Sequence, residues 1–460
     1  MPINRLFIAN RGEIAVRVIR AAQGLGIHTI QAHSEADADM LAVKLADEAV
    51  CIGPAAAKES YLDVDRVVAA AKKAGADAVH PGYGFLSESP RFARALEEAG
   101  ITYVGPSADT IERMGDKVAA RQAAEAAGTP VVPGSKGRIE TLDHAVATAA
   151  DIGYPVMIRA AAGGGGRGIR IAANEDELRK LAPQAQSEAQ AAFGDGGLYL
   201  ERALRDPRHI EVQILGDGTR AVHCFERECS IQRRRQKVWE EAGATCLDDP
   251  TRQALCASAV AMAEAVGYKG AGTLEFLYEE ASNQFFFIEM NTRIQVEHPV
   301  TEMVTGIDLV QEMIRIAGGE PLRLAQDRIA VTGHAIEVRI NAEDPHLQFM
   351  PFPGTVGALR LPEGQGIRMD HFLYEGYQIP PFYDSLIGKL IAHGTDRADA
   401  ISRLRTALQA LSIEGLKTTI PLHLALADDP QVQAGTVHTQ WLEPWLDAGN
   451  LTPAATGGAS

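Results

Sequence analysis

The chain has 460 residues, 46% hydrophobic and 23% charged, with a net charge of -16, long enough for two to four units built on sizeable cores. The acidic balance argues against nucleic acid or an anionic membrane surface as the main partner, and no apolar run approaches the roughly 18 residues of a membrane span. The five cysteines (Cys51, Cys224, Cys229, Cys246, Cys256) form no CxxC pair, and the amino terminus carries no signal segment, which together point to the cytoplasm and away from a zinc site or disulfide framework.

Over the first hundred residues short apolar strands alternate with helical stretches, as in a parallel α/β unit. Leu6 to Ala9 reads as a strand, Glu13 to Leu25 as a helix, His28 to Ala32 as a second strand and Val67 to Ala74 as a helix. Ala78 to His80 leads into the turn HPGYGF, and Ile101 to Val104 closes the unit. A helix from about Lys117 to Ala127 ends at Gly128. Residues 131–201 have their own strand and helix pattern with a glycine run, Gly163 to Gly168, and read as a small lobe. Strands follow at His209 to Leu215, Ala221 to Glu226, Gly272 to Tyr278, Gln284 to Glu289, Gly333 to Ile340 and Val356 to Leu361. Helices lie near Thr251 to Val266 and Ile307 to Ala317. Ile401, Leu404, Leu408 and Leu411 mark one face of a helix over 397–411, and the small polar tail from Thr452 is expected to be disordered.

Chemistry concentrates in FFFIEMNTRIQVE, residues 285–297. If the chain stays extended, Glu289, Asn291, Arg293, Gln295 and Glu297 all face one way. Such groups are costly to remove from water unless paired, so a core strand has no reason to collect them. Glu275, an acid within the apolar strand TLEFL, makes a pair with Glu289 that suits hard cations bridging phosphates. The glycine run follows a strand and is flanked by Arg159, Arg167 and Arg170, which favours a phosphate-covering loop over a tether. The basic cluster Arg233 to Lys237 reads equally as a solvated face or an anion site. Arg339 reads either as a functional cation or as a charge neutralised by Glu337. Ala9 to Glu13, with one glycine, lacks the dinucleotide fingerprint and reads as a phosphate turn or as a turn packed on a neighbouring domain.

Taken together, these residues resemble the biotin carboxylase family of the ATP-grasp group. The likeness rests on IANRGEIA at 8–15, HPGYGFLSE at 80–88, MGDK at 114–117, GGGGRG at 163–168, PRHIEVQ at 207–213 and IEMNTRIQVEHPVTE at 288–302, and runs to about Trp445. The resemblance implies an α/β and α+β chain with an ATP-grasp fold: a Rossmann-like N-terminal domain over 1–116, a helical linker over 117–130, a lid over 131–204, an ATP-grasp and C-terminal domain over 205–447, and a disordered tail over 448–460. It implies that bicarbonate attacks the γ-phosphoryl group of ATP, and that the carboxyphosphate formed yields carbon dioxide, captured by N1 of biotin. The implied cofactors are ATP, Mg2+ or Mn2+, and bicarbonate, with carrier-linked biotin as substrate.

By the same resemblance, Lys117, Arg159, Gln232 and Arg235 line the nucleotide, Gly164, Gly165 and Gly166 close over its phosphates, and Glu201, Leu204 and His209 hold adenine and ribose. Glu275, Glu289 and Asn291 match the metal positions. Lys237, Arg293, Gln295 and the backbone of Val296 match the bicarbonate pocket, Glu297 the general base, Arg339 the stabiliser of the biotin enolate, and Tyr83 a neighbour of the biotin ring. The sequence departs from the family where Arg159 and Arg202 replace lysine, where Arg235 replaces histidine, and at Trp239 to Ala244, all on the nucleotide side. No Met-Lys-Met biotinylation sequence occurs, so a separate biotin carboxyl carrier protein and carboxyltransferase are expected, as in acetyl-CoA carboxylase, together with a homodimer. The alternatives are another ATP-grasp ligase that uses an acyl phosphate, and a catalytically weak nucleotide-binding homologue.

Overall fold

The computed structural model describes residues 2–135, 137–139, 141–160, 170–193 and 196–451. Among them, β1 (Arg5–Ile8), β2 (His28–Ser34), β3 (Glu48–Gly53), β4 (Ala78–His80) and β5 (Thr102–Tyr103) form a parallel sheet in the order β3-β2-β1-β4-β5. Both faces are covered, so its inner strands read as apolar runs rather than alternating ones. Phe7, Ile30 and Val79 enter one core while Leu6 and Ile8 enter another. The helix Gly12–Gly24 follows β1 directly.

A three-stranded antiparallel sheet, with β6 (Val156–Ala160) between β7 (Arg170–Ala172) and β8 (Leu198–Arg202), carries the helices Leu142–Ile152 and Glu175–Phe193. Its core is separate and includes Ile158, Leu178 and Leu200. The glycine run 163–168, with Gly164, Gly165 and Gly166, lies outside the described residues, as do residues 452–460.

The third sheet is antiparallel and positions the site. Its strands β9 (Arg208–Asp217), β10 (Ala221–Arg233), β11 (Gln236–Ala242), β12 (Lys269–Glu279), β13 (Gln284–Asn291) and β14 (His334–Asn341) run in the order β13-β12-β9-β10-β11-β14, extended by Leu386–Gly394 and then Ile367–His371. The sequence-derived strand ending at Glu226 continues to Arg233 and turns straight into β11, a strand that charge concealed. Val356 to Leu361 reduces to a two-residue strand, Leu359–Arg360. The amphipathic helix forms over Arg397–Ala410 and buries Ile401, Leu404 and Leu408. No helix among the described residues is long and apolar enough to cross a membrane.

The turn Asn10 to Glu13 spends its polar groups inside the protein. Asn10 Nδ2 donates to the carbonyls of Pro81 and Tyr83 at 2.6 and 2.7 Å, and Arg11 pairs with Asp37 at 2.8 Å. Gly82, at φ +63°, allows this clasp because a Cβ there would lie 2.8 Å from Asn10 Nδ2. Arg11 also lies over Phe372 and Tyr383, at 5.5 and 4.3 Å from their ring centroids, so the turn packs on the C-terminal part of the chain, in line with the packed-turn reading.

Candidate active site

β13 stops at Asn291, and residues 292–297 form a turn that leads into the helix His298–Thr305. Alternation along an extended chain therefore does not gather the polar set beyond Asn291, because the turn itself does. Glu88, from the HPGYGFLSE motif, anchors its start by accepting from the Thr292 amide at 3.1 Å and from Arg293 Nε at 2.9 Å. Arg293 then reaches Asn291 Oδ1 at 3.2 Å and Gln295 Oε1 at 3.1 Å.

At the centre lies Lys237, carried by β11 just past the hairpin tip. Its ammonium donates to Glu275 Oε1 at 2.8 Å, to Glu297 Oε1 at 2.7 Å and to Glu211 Oε2. Burial disfavours its charge, yet the three carboxylates hold its pKa well above the ordinary lysine value. Glu211, on β9, is bound from its other oxygen by the buried Arg227. Glu275 on β12 also accepts from Asn291 Nδ2 at 2.8 Å and stands 3.3 Å from His209 Nε2. Burial pushes against the charge on Glu297, but Lys237 and then Arg339 outweigh it and hold this carboxyl below its usual range. Arg339 bridges Glu297 Oε2 at 3.1 Å and Glu240 Oε1 at 2.6 Å. A charge pair of this kind persists in a buried setting only when each carboxylate meets a cation or donor.

The oxygen donors for a hard cation are also placed here. Glu275 and Glu289 are direct cross-strand partners on β12 and β13, which puts their side chains on one face. Glu289 is the exposed member of the pair, and desolvation together with the charge of Glu275 pushes its carboxyl up. Two like charges with the Asn291 amide oxygen nearby match the hard, oxygen-only chemistry of Mg2+ or Mn2+. His209, Glu211 and Glu275 also bring ligating atoms within 4.8 Å of one another, but Glu211 is already held by two cations.

Beyond Arg339, a cavity of about 170 Å³ is lined by Tyr83, Lys237, Val296, Arg339, Asp384 and His423 among others. A larger one of about 440 Å³, beside Arg17, Arg20 and Arg368, lies outside this cluster. Its ionic groups are largely paired with each other, as in Arg17–Glu302 and Arg368–Glu302, both at 2.8 Å.

Family models match the chain in sequence: the biotin carboxylase N-terminal domain over residues 2–111, the ATP-binding domain of the carbamoyl-phosphate synthase L chain over 116–325, and the biotin carboxylase C-terminal domain over 337–444. Biotin carboxylase 1 of Bacillus subtilis is 52% identical over 444 residues, covering 96% of this chain and 99% of that one. The chain belongs to the biotin carboxylase family. A pyruvate carboxylase subunit of Methanothermobacter thermautotrophicus is 48% identical over 96% of this chain and 90% of its own length. The crystallised biotin carboxylase domain dimer of Hydrogenobacter thermophilus 2-oxoglutarate carboxylase, in complex with MgADP, ADP and bicarbonate, superimposes with a TM-score of 0.89 at 47% identity, over 99% of this chain and 100% of that one. The fold is thus the ATP-grasp fold of biotin carboxylases, and the chain is an ATP-dependent ligase.

In this biotin carboxylase the structure joins Lys237, Glu275, Asn291, Arg293, Gln295, Glu297 and Arg339 into one connected network, with Glu289 and His209 against it. Tyr83 and Val296 line the adjoining cavity. The nucleotide-side residues are more scattered. Lys117 is the first residue of the helix Lys117–Ala126, capped by Asp116, and its charge acts on Glu289. Arg159 is tied to Glu201 at 2.8 Å across the β6–β8 pair, and Arg202 to Glu279 at 3.1 Å. Leu204 is half-buried between β8 and β9. Gln232 donates to the Cys229 carbonyl at 2.9 Å within its own strand. Arg235 is exposed at the tip of the β10–β11 hairpin, where both it and Arg234 take positive φ. Of the basic cluster only Lys237 enters the acidic network, and Arg233 stacks on Phe349 at 3.6 Å. The cluster is therefore not one anion site.

Sequence reasoning missed Glu211, Glu240, Glu88 and Arg227. Glu211 had a usable signal, a single acid inside the strand HIEVQ, the same pattern that exposed Glu275. Arg227 and Glu240 had none, because charge is dense throughout residues 226–241.

Proposed function

We propose that this enzyme carboxylates N1 of biotin with ATP and bicarbonate by way of carboxyphosphate. The observation that carries the reading is the placement of Glu297, a carboxylate in its unprotonated form held between Lys237 and Arg339 beside the bicarbonate-pocket residues, where a general base is needed. Glu297 takes the bicarbonate proton, and the anion is held by Lys237, Arg293, Gln295 and the Val296 backbone. A bound Mg2+ or Mn2+ at Glu275, Glu289 and Asn291 supplies charge neutralisation for the phosphates. The cations around the turn favour the dianionic carboxyphosphate over neutral alternatives. Arg339 then faces the biotin enolate, with Tyr83 beside the ring. Lys117, Glu201 and His209 serve the nucleotide, with Arg159 acting through Glu201.

The final acceptor never enters this site, since carbon leaves it on biotin. We therefore infer a biotin carboxyl carrier and a carboxyltransferase as partners, with acetyl-CoA, pyruvate or 2-oxoglutarate chosen by the latter, and association of two copies as in the Hydrogenobacter domain dimer. The test is ATP hydrolysis with bicarbonate and free biotin varied independently. Hydrolysis that requires bicarbonate and rises with biotin is expected. Hydrolysis indifferent to both would assign the chain to another ATP-grasp ligase reaction, and tight Mg-ATP binding without turnover would make it a regulator.

A further inference from the structure

Glu13 of the Asn10 to Glu13 turn is absorbed neither by the nucleotide nor by the metal. It is buried on the first turn of the helix Gly12–Gly24, and it accepts a hydrogen bond from the Tyr83 hydroxyl. Its other oxygen stands 3.2 Å from the ammonium of Lys389, a lysine with no exposed side-chain surface. Lys389 in turn donates to the Val296 carbonyl at 2.7 Å. Placing an ammonium in a fully enclosed position is costly, so one spent on a backbone carbonyl calls for an account.

Sheet register supplies one. Lys389 is the cross-strand partner of Arg339, so both side chains leave the sheet on the same face. Arg339 binds the carboxylate of Glu297 and Lys389 binds the carbonyl of the residue before it. Two neighbouring cationic arms thus grip consecutive residues of the turn 292–297, while Glu88 holds its start. Like charges side by side repel, and here Glu13, Asp370 and Glu337 surround Lys389 as compensating or titratable acids. We propose that Lys389 and Glu13 are positioning residues: Lys389 fixes the Val296 carbonyl and so aims the bicarbonate-holding turn, and Glu13 locks Lys389 to Tyr83, linking the biotin side of the cavity to the bicarbonate side.

The proposal rests on the biotin carboxylase reading, and bicarbonate-dependent ATP hydrolysis by the unaltered enzyme checks that reading separately. The double variant Glu13→Gln, Lys389→Met removes both charges of the pair together, which is the tolerated way to delete a buried pair; Asp370 keeps Arg368 at 2.7 Å, and burial already pushes Glu337 toward its neutral form. The expected result is a melting temperature close to that of the parent and unchanged Mg-ATP affinity, with KM for bicarbonate raised about tenfold, since small misplacement of a binding group costs this much or more. Bicarbonate KM within twofold of the parent overturns the proposal, as does an equal loss in ATP and bicarbonate parameters. Should the double variant not fold, Glu13→Gln alone is measured. It keeps an acceptor for Tyr83 and removes only the charge facing Lys389, and an unchanged ratio of bicarbonate to ATP KM would again overturn the proposal.

Discussion

The ammonium of Lys237 lies 2.7 Å from Glu297 Oε1, while the other oxygen of Glu297 is taken by Arg339 at 3.1 Å. The general base of the proposed reaction is thereby ionised and aimed at once. Lys237 is shared with Glu211 and Glu275, so the same cation couples the base to the metal-binding acids.

Glu297→Gln keeps the size and the hydrogen-bonding oxygen but removes the proton acceptor. Bicarbonate-dependent turnover is expected to fall by about two to four orders of magnitude, with Mg-ATP affinity near normal by calorimetry. Parallel loss of both would make Glu297 a structural residue.

Arg339→Met takes a cation from both Glu297 and Glu240. Burial and then Arg339, in opposite directions, dominate Glu240, and the outcome is a carboxyl pushed up to about 7. Without the arginine both carboxyls rise, so the acidic limb of the kcat/KM profile for bicarbonate moves to higher pH and carboxylation of biotin slows. A profile that keeps its position would separate Arg339 from the base.

Glu211→Gln leaves Lys237 and Arg227 sharing a buried region with one carboxylate fewer. Removing one partner of a buried pair costs about 3–5 kcal/mol, so urea unfolding should shift to markedly lower denaturant. Stability within about 1 kcal/mol of the parent would show that Glu211 is not the keystone of the network.

His80 predicts an acid sensitivity. Burial, followed by the charge of Arg17, holds its pKa down to about 3, and its Nδ1 accepts from the Gly82 amide at 3.0 Å. The unfolded chain takes up this proton near its ordinary value of about 6.5 while the folded chain resists. More protons are bound in the unfolded state between those values, so the contribution is full above about 6.5 and is lost as pH falls toward 3. The melting temperature should drop over that window, and His80→Asn should flatten the drop. An identical pH dependence in the variant would exclude His80 as its source.

The legibility of the site followed the cost of its residues. In residues 288–302 acids, amide and guanidinium stand where a strand end offers no other use for them, and their types alone signalled an anion and metal site. The mechanism of their gathering was misread, because alternation presumes an extended chain and β13 gives way to a turn after Asn291. Arg235 and Gln232 are assigned by resemblance alone; one projects from a hairpin tip and the other donates within its own strand, and neither joins the acidic network around Lys237. A basic run does not reveal which of its members points inward, since that depends on hairpin register.

The sequence by itself determined the family, the run of strands and helices through most of the chain, and the residue types that carry the chemistry, because hydrophobic period and dense motifs are local properties. Only the tertiary structure decided the partners. Glu211, Lys237, Glu275 and Glu297 come from four separate segments and meet because β9 lies between β12 and β10, with β11 folded back beside them. The charge state of an enclosed carboxyl or ammonium is set by whichever groups other strands bring within a few ångströms, and that choice belongs to sheet order and register rather than to any stretch of chain.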